Sequence, residues 1–299
     1  MWFALSVLAL FMLSSRRTAE KKAATGIDSM AMAWLQQTVA LPLIVASLFF
    51  AEFYWPAQLP VFFWELLAVY VVLQTVYLYC YFRAIAIADI SFVAPLMTLF
   101  SVGNMVGAYI ILGQVPSVFG VIGASLILAG AWVIARAKQH NGDESIAKHK
   151  TAFLLVVAAI VVASIFSNIE VKMLHMSNAT SYNFYTSLLT VPFVIAASML
   201  ILRGSRRSIG AYWRKVHTNV STNVWPLVIV GVTYTANMLA TYQAKVMAPN
   251  QAYVGSIKAA SVLPVAILGV LIFHEKVTRK QWIGIGLMLA GLAAMAVNL

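Results

Sequence analysis

Lys258 is the residue with the most chemistry to offer. It sits in an apolar run, 250–273, where Gln251, Gly255 and Ser261 share its face at helical spacing and Pro264 lies just beyond. A charged side chain at the centre of a bilayer costs at least ~2.5–3.5 kcal/mol. At 1.5 Å per residue Lys258 stands roughly 5 Å from the middle of its run. Two roles fit: a cation that holds an anionic or carboxylate group of a substrate, or a lysine that packs against backbone carbonyls. A second stripe, Thr233, Asn237, Thr241 and Lys245, runs at four-residue steps through 224–246, with Tyr242 beside it. The run 62–82 carries Tyr70, Gln74, Tyr77 and Tyr81; 152–174 carries Asn168, Lys172 and His175 on one face, with Glu170 turned elsewhere. The run 181–202 opens with Tyr182, Asn183, Tyr185 and Thr186. Amides, hydroxyls and one deep cation suit recognition of a small polar solute; the aromatics suit packing equally well.

Other chemistries find little support. His140, His149, His175, His217 and His274 fall in loops or at helix ends, and none forms HExxH or another metal spacing. Cys80 is the single cysteine and has no base at a matching position. No GxxxxGK[ST] run exists for nucleotide phosphates. The expectation is therefore no catalysis, no metal and no cofactor. Carboxylates avoid the middles of the runs: Glu20 and Glu170 lie near ends, Asp89 starts a run and Glu65 lies near an interface. That argues against a deep carboxylate relay for protons, with Glu170 the best remaining candidate.

These residues need elements to hold them, and composition says which. The chain has 299 residues, 62% hydrophobic and 10% charged, with a mean hydropathy of +0.87. Soluble proteins average about 25% charged residues, so a water-exposed globule is excluded and the bilayer is the first partner. The net charge of +11 would suit nucleic acid only on a soluble basic face, which this composition denies. A helix crossing the ~30 Å hydrocarbon core needs about 20 apolar residues. Ten stretches qualify: 1–15 (extendable to 23), 29–50, 62–82, 89–112, 117–135, 152–174, 181–202, 224–246, 250–273 and 281–297. They are numbered spans 1 to 10 below. None alternates as barrel strands do, so the expected fold is an all-α integral membrane protein. All but Lys172, Lys245 and Lys258 of the lysines and arginines fall on one side of this topology, while the loops after spans 2 and 4 hold none. The basic side is cytoplasmic. With ten spans, both termini are expected outside a cell (inner) membrane.

An internal repeat organises the spans. At an offset of 161, Ile122, Gly123, Leu126, Leu128, Ala129 and Gly130 recur as Ile283, Gly284, Leu287, Leu289, Ala290 and Gly291; Trp64 falls on Trp225 and Tyr81 on Tyr242. At 150, Ser14 meets Ser164, Glu20 meets Glu170 and Pro42 meets Pro192. Five spans per copy is an odd number, so the copies enter the membrane from opposite sides, and the opposite charge of their corresponding loops agrees. The expected organisation is residues 1–136 and 152–299 as two inverted five-helix repeats, with 137–151 a basic cytoplasmic linker. Inverted repeats place a site near the midplane between them and alternate access by rocking; a duplicated scaffold without transport is the other reading. Gly120, Gly123, Gly284 and Gly286 read as close helix packing between spans 5 and 10, and Pro95 and Pro264 as kinks in spans 4 and 9.

The chain resembles the drug/metabolite transporter superfamily in its ten-helix EamA-type branch. The resemblance is carried by Tyr81, Phe82, Arg83 and Ala84 with Ser91, Phe92, Val93, Ala94, Pro95 and Leu96. Leu268 and Gly269 leading to His274, Glu275 and Lys276 extend it, as do the Gly-x-x-Leu-x-Leu-Ala-Gly endings of spans 5 and 10. It implies a secondary active transporter that moves a small polar metabolite or drug-like solute by alternating access, in the direction of export. The candidate substrate-binding residues are Lys258, Gln251, Ser261, Asn237, Thr241, Tyr242, Gln74, Tyr77, Tyr81, Asn168 and Tyr185. A flippase-like carrier of a lipid-linked headgroup is the alternative. The expected assembly is a monomer or homodimer.

Overall fold

The ten apolar stretches are helices, and the two that carry Pro95 and Pro264 are broken. The computed structural model describes residues 1–24, 29–112, 115, 117–137, 143–204, 209–247, 251–274 and 277–297; of residues 24, 29, 30, 91, 108, 111, 112, 135–137, 143–148, 201–204, 251–253, 256 and 295–297 it describes the backbone only. Spans 1 to 3 are α1 (Trp2–Ala24), α2 (Ser29–Ser47) and α3 (Val61–Ile87). Span 4 is α4 (Ile90–Leu96) and α5 (Leu99–Leu112), and span 5 is α6 (Val118–Ala137). Spans 6 and 7 are α7 (Asp143–Met176) and α8 (Ala179–Gly204), followed by an extra helix, α9 (Ile209–Thr222). Span 8 is α10 (Val224–Met247), span 9 is α11 (Gln251–Ala259) and α12 (Val262–Phe273), and span 10 is α13 (Arg279–Val297). No strand occurs among the described residues.

The breaks in spans 4 and 9 have a physical cause. A proline lacks the N–H that the helix needs and crowds the carbonyl four residues back. In span 9 the chain turns at Ala260 and Ser261, so Pro264 falls in the first turn of α12, where a missing N–H is harmless. The turn is held by Ser261 N donating to Lys258 O at 3.0 Å and Leu263 N to Ala260 O at 3.2 Å. In span 4 the break follows Pro95: Thr98 donates to Pro95 O through both its amide (2.9 Å) and its hydroxyl (2.7 Å).

Polarity is inside out. Leu200, Leu154, Val161 and Trp225 are more than half exposed, whereas Glu20, Ser181, Asn237 and Ser261 are fully buried. Exposed leucines and buried polar groups are the arrangement a lipid solvent demands. Val61–Ile87, His149–Met176, Ala179–Leu200 and Val224–Met247 are each long and apolar enough to cross by themselves.

The two halves pack with reciprocal contacts. α1 lies along α10 as α3 lies along α7, and α2 meets α8. α6 and α13 form a seam in which a Cβ on Gly130 would meet Gly284 O at 2.5 Å and a Cβ on Gly291 would meet Gly123 O at 2.5 Å. Position 123 pairs with 291 and 130 with 284, so the helices run antiparallel about a two-fold axis, as inverted copies must. Gly286, expected at this seam, faces open space, and Gly291 takes that place.

Two sequence expectations, the end of span 1 and the loop after span 7, need correcting. α1 runs to Ala24, so Arg16, Arg17, Lys21 and Lys22 belong to a helix and not to a loop. In the stretch 137–151, residue 137 ends α6, 143–151 belong to α7, and 138–142 lie outside the described residues. The long basic loop after span 7 contains α9, whose Val216 is buried and whose Trp213 ring lies 5.7 Å from that of Trp34.

Candidate functional site

Two helix pairs, α1 with α10 and α3 with α7, form facing walls with little direct packing between them. α2 and α8 close one flank; spans 4 and 9 close the other, with α11 against α1, α5 against α7, and α12 against α4. The cleft between the walls gathers the polar side chains of the bundle.

One wall is locked by α1. Asn237 Nδ2 donates to Ala9 O at 2.6 Å, and the Arg16 guanidinium sits 5.4 Å from the centre of the Tyr234 ring. A cation over an aromatic face is a favourable contact that strengthens when desolvated. Arg16 Nε also pairs with Glu20 Oε1 at 3.1 Å, one helical turn on. From there the network crosses to the opposite wall: Tyr81 OH donates to Glu20 Oε2 at 2.7 Å, and the Tyr77 ring stacks on Tyr81 at 5.9 Å. Lys21 Nζ reaches the same wall, donating to the carbonyls of Ile85 and Ala88 at 2.7 and 2.6 Å. The i, i+4 spacing of Arg16 and Glu20 and the match of Glu20 with Glu170 were the sequence signals for this cluster. Leaving the end of span 1 open between residues 15 and 23 hid them.

At the other end Lys245 of α10 pairs with Glu170 of α7, and Tyr182 OH donates to Glu170 Oε2 at 3.5 Å. Tyr182 is boxed by Tyr242 at 5.0 Å and Tyr70 at 5.9 Å between ring centres, both edge-on. Above it the 48–60 connection folds over α8: Tyr54 N donates to Ser181 Oγ at 2.8 Å, Tyr185 OH to Tyr54 O at 2.9 Å, and Asn178 Nδ2 to Glu52 O at 2.6 Å.

Between these ends lie Lys258, Ser261, Gln74 and Thr241. Lys258 is half-buried in the last turn of α11 and, among the described residues, its ammonium makes no hydrogen bond or ion pair; the charges that act on it are Lys245, Arg16, Glu170 and Arg17. One turn on, Ser261 Oγ accepts from Arg17 Nη1 at 3.4 Å. Gln74 Oε1 and Thr241 Oγ1, on opposite walls, are buried with no hydrogen-bond partner. Lys258, Ser261, Gln74, Tyr77, Tyr81, Thr241, Asn237 and Tyr242 thus belong to the elements framing the cleft. Asn168 points to the packing of α7 on α5, donating to Ser164 O at 2.7 Å and Asn104 Oδ1 at 3.3 Å. Tyr185 is engaged with Tyr54, and the side chain of Gln251 lies outside the described residues. No group of three His, Cys, Asp or Glu among the described residues could hold a metal ion.

Comparison with known proteins agrees with this architecture. A solved crystal structure, described only as a protein, superimposes with a TM-score of 0.64 at 16% identity, over 99% of this chain and 96% of that one. At that identity the likeness concerns the fold. No curated protein sequence matches the chain. The model of the EamA-like transporter family matches residues 1–136 and 149–297, nearly the whole length. The chain is a membrane protein of two repeated halves and belongs to the EamA-like transporter family.

Proposed function

We propose that the chain is a secondary active transporter that moves a small polar solute bearing an anionic or carboxylate group, held by Lys258 in the cleft between the two walls. The observation that carries this reading is a cationic surplus. Arg16 is matched by Glu20 and Lys245 by Glu170, while Arg17 and Lys258 have no carboxylate at ion-pair distance among the described residues. Unpaired cations inside a bundle are costly, and an anionic ligand removes that cost. Ser261 between them, with Gln74 and Thr241 on the walls, supplies the hydrogen bonds that would orient the rest of the solute.

The same reading takes residues 1–136 and 152–299 as the copies that rock about the α6–α13 seam, with 137–151 between them. Both termini then lie outside a cell membrane and the α9 side faces the cytoplasm, where the basic loops collect. Export is the proposed direction, and the unit is a monomer or homodimer. No ATP site is invoked, so the driving force is a solute or proton gradient.

The test is uptake and binding in proteoliposomes with a panel of carboxylate-bearing, zwitterionic and cationic solutes. Lys258→Met keeps the length of the side chain and removes its charge; binding of the carboxylate-bearing solute should fall at least tenfold with the fold intact. Lys258→Arg keeps the charge without the compact ammonium and should retain part of it. Wild-type transport by Lys258→Met would overturn the reading.

A further inference from the structure

Two links between polar side chains cross the cleft at opposite ends and from repeat-equivalent helices. Glu20 on α1 is joined to Tyr81 on α3. Glu170 on α7, the counterpart of Glu20 at an offset of 150, is joined to Lys245 on α10, one turn beyond Tyr242, the counterpart of Tyr81 at 161. Each link therefore ties one wall to the other, because α1 and α10 make one wall and α3 and α7 the other. Asn237 bonds Ala9, which puts those two residues at one level, and Arg16 lies over Tyr234, so α1 and α10 run antiparallel. Glu20 is eleven residues beyond Ala9 and Lys245 eight residues beyond Asn237 the other way. At 1.5 Å per residue the links lie about 28 Å apart along the bundle, close to the ~30 Å of the hydrocarbon core. Lys258, Gln74 and Thr241 fall between them.

We propose that Tyr81–Glu20 and Lys245–Glu170 are the two gates of the cleft, one at each membrane face, and that transport opens them in turn. This rests on the transport reading above and assigns the residues that govern access. The geometry explains why each end carries a second closure. Lys21 seals the α9 end onto the α3 carbonyls, and the Tyr54 connection caps the other end over Ser181 and Tyr185. Glu20 and Glu170 are positioning residues: they hold walls together without touching the solute. Weakening one link should favour the state open on that side and, because the walls rock as units, close the other side further.

The experiment reads access and needs no solute. In a Cys80→Ser background, Gln74→Cys places a reporter thiol within the cleft. It is labelled with a charged, membrane-impermeant thiol reagent in sealed vesicles of each orientation. Tyr81→Phe removes one hydrogen bond and leaves the Arg16–Glu20 pair intact; labelling from the α9 side should rise severalfold and labelling from the other side should fall. Lys245→Gln should do the reverse. The charge-swapped pair Glu170→Lys with Lys245→Glu restores the link and should return the wild-type pattern, which guards against misfolding as the cause. Unchanged labelling in both variants, or a rise from the same side in both, overturns the gate assignment. A wild-type rate for Lys258→Met with opposite labelling shifts intact would instead sink the anion site and leave the gates standing.

Discussion

The α6–α13 seam and the cleft between the α1–α10 and α3–α7 walls are both interfaces between the repeats, and they are built from opposite materials. At the seam, Gly123, Gly130, Gly284 and Gly291 bring backbone against backbone, closer than any side chain would allow. In the cleft the walls are held by a tyrosine on a carboxylate and a lysine on a carboxylate, with Gln74 Oε1 and Thr241 Oγ1 unpartnered between them. Lipid gives helices no hydrophobic reason to associate, so close packing of small residues and interhelical polar contacts must do it. Glycine contacts are continuous and leave one arrangement; a few polar links have discrete made and broken states. The seam is suited to a pivot and the cleft to motion.

The sharpest way to break this contrast is to remove a charge from the cleft. Arg16→Met leaves Glu20 buried without its countercharge; orphaning one partner of a buried pair costs about 3–5 kcal/mol. Thermal unfolding in detergent should show a large drop in Tm. Replacing both, Arg16→Met with Glu20→Met, should recover most of it, because neither charge is then stranded. A single variant as stable as wild type would mean that the pair is not desolvated and that the cleft end is wet.

The seam should respond to added volume instead. In Gly291→Ala the new methyl would stand 2.5 Å from Gly123 O, so α6 and α13 must separate, at a cost of about 1–3 kcal/mol. Gly286→Ala, on the same helix with nothing within 4 Å, should be neutral or more stable by roughly 0.5–1 kcal/mol, because alanine loses less freedom in a helix than glycine. Equal Tm values for the two variants would remove the seam from the argument.

The difference between the two regions also explains what was legible in the sequence. Span count, the breaks near Pro95 and Pro264, and the repeat follow from periodicity, missing N–H groups and ordered identities, all local properties. The seam was half legible: Gly123 and Gly284 were recognisable, but choosing Gly291 over Gly286 depends on how α13 is rotated against α6, which only packing decides. The cleft ends were the least legible. Arg16 to Lys22 left the end of span 1 open between residues 15 and 23 because charge ended the apolar run, yet a charged turn can stay in a buried helix when its charges are paired. α9 was missed for a different reason. Its apolar residues Ile209, Tyr212, Trp213, Val216 and Val220 lie at helical spacing, but a span search passes over an amphipathic surface helix.

The smallest effect is expected where the polar contact is redundant. Asn104 of α5 accepts from Ser167 Oγ at 2.5 Å and from Asn168 Nδ2 at 3.3 Å, joining α5 to α7 where Gly107 lets the helices approach. Asn104→Ala removes the acceptor, yet Asn168 keeps Ser164 O at 2.7 Å within its own helix, and a serine in a helix can turn its hydroxyl to the carbonyl four residues back. Neither donor is stranded, so the full price of an unsatisfied group does not apply. Interhelical hydrogen bonds in membrane proteins average about 0.6 kcal/mol when measured in pairs, and the loss here should be of that order. A double-mutant cycle of Asn104→Ala with Ser167→Ala measures the coupling directly. A coupling well above 1.5 kcal/mol would show that α5 and α7 depend on this contact as the cleft depends on its charges, and would move span 4 from the packed part of the molecule to its polar machinery.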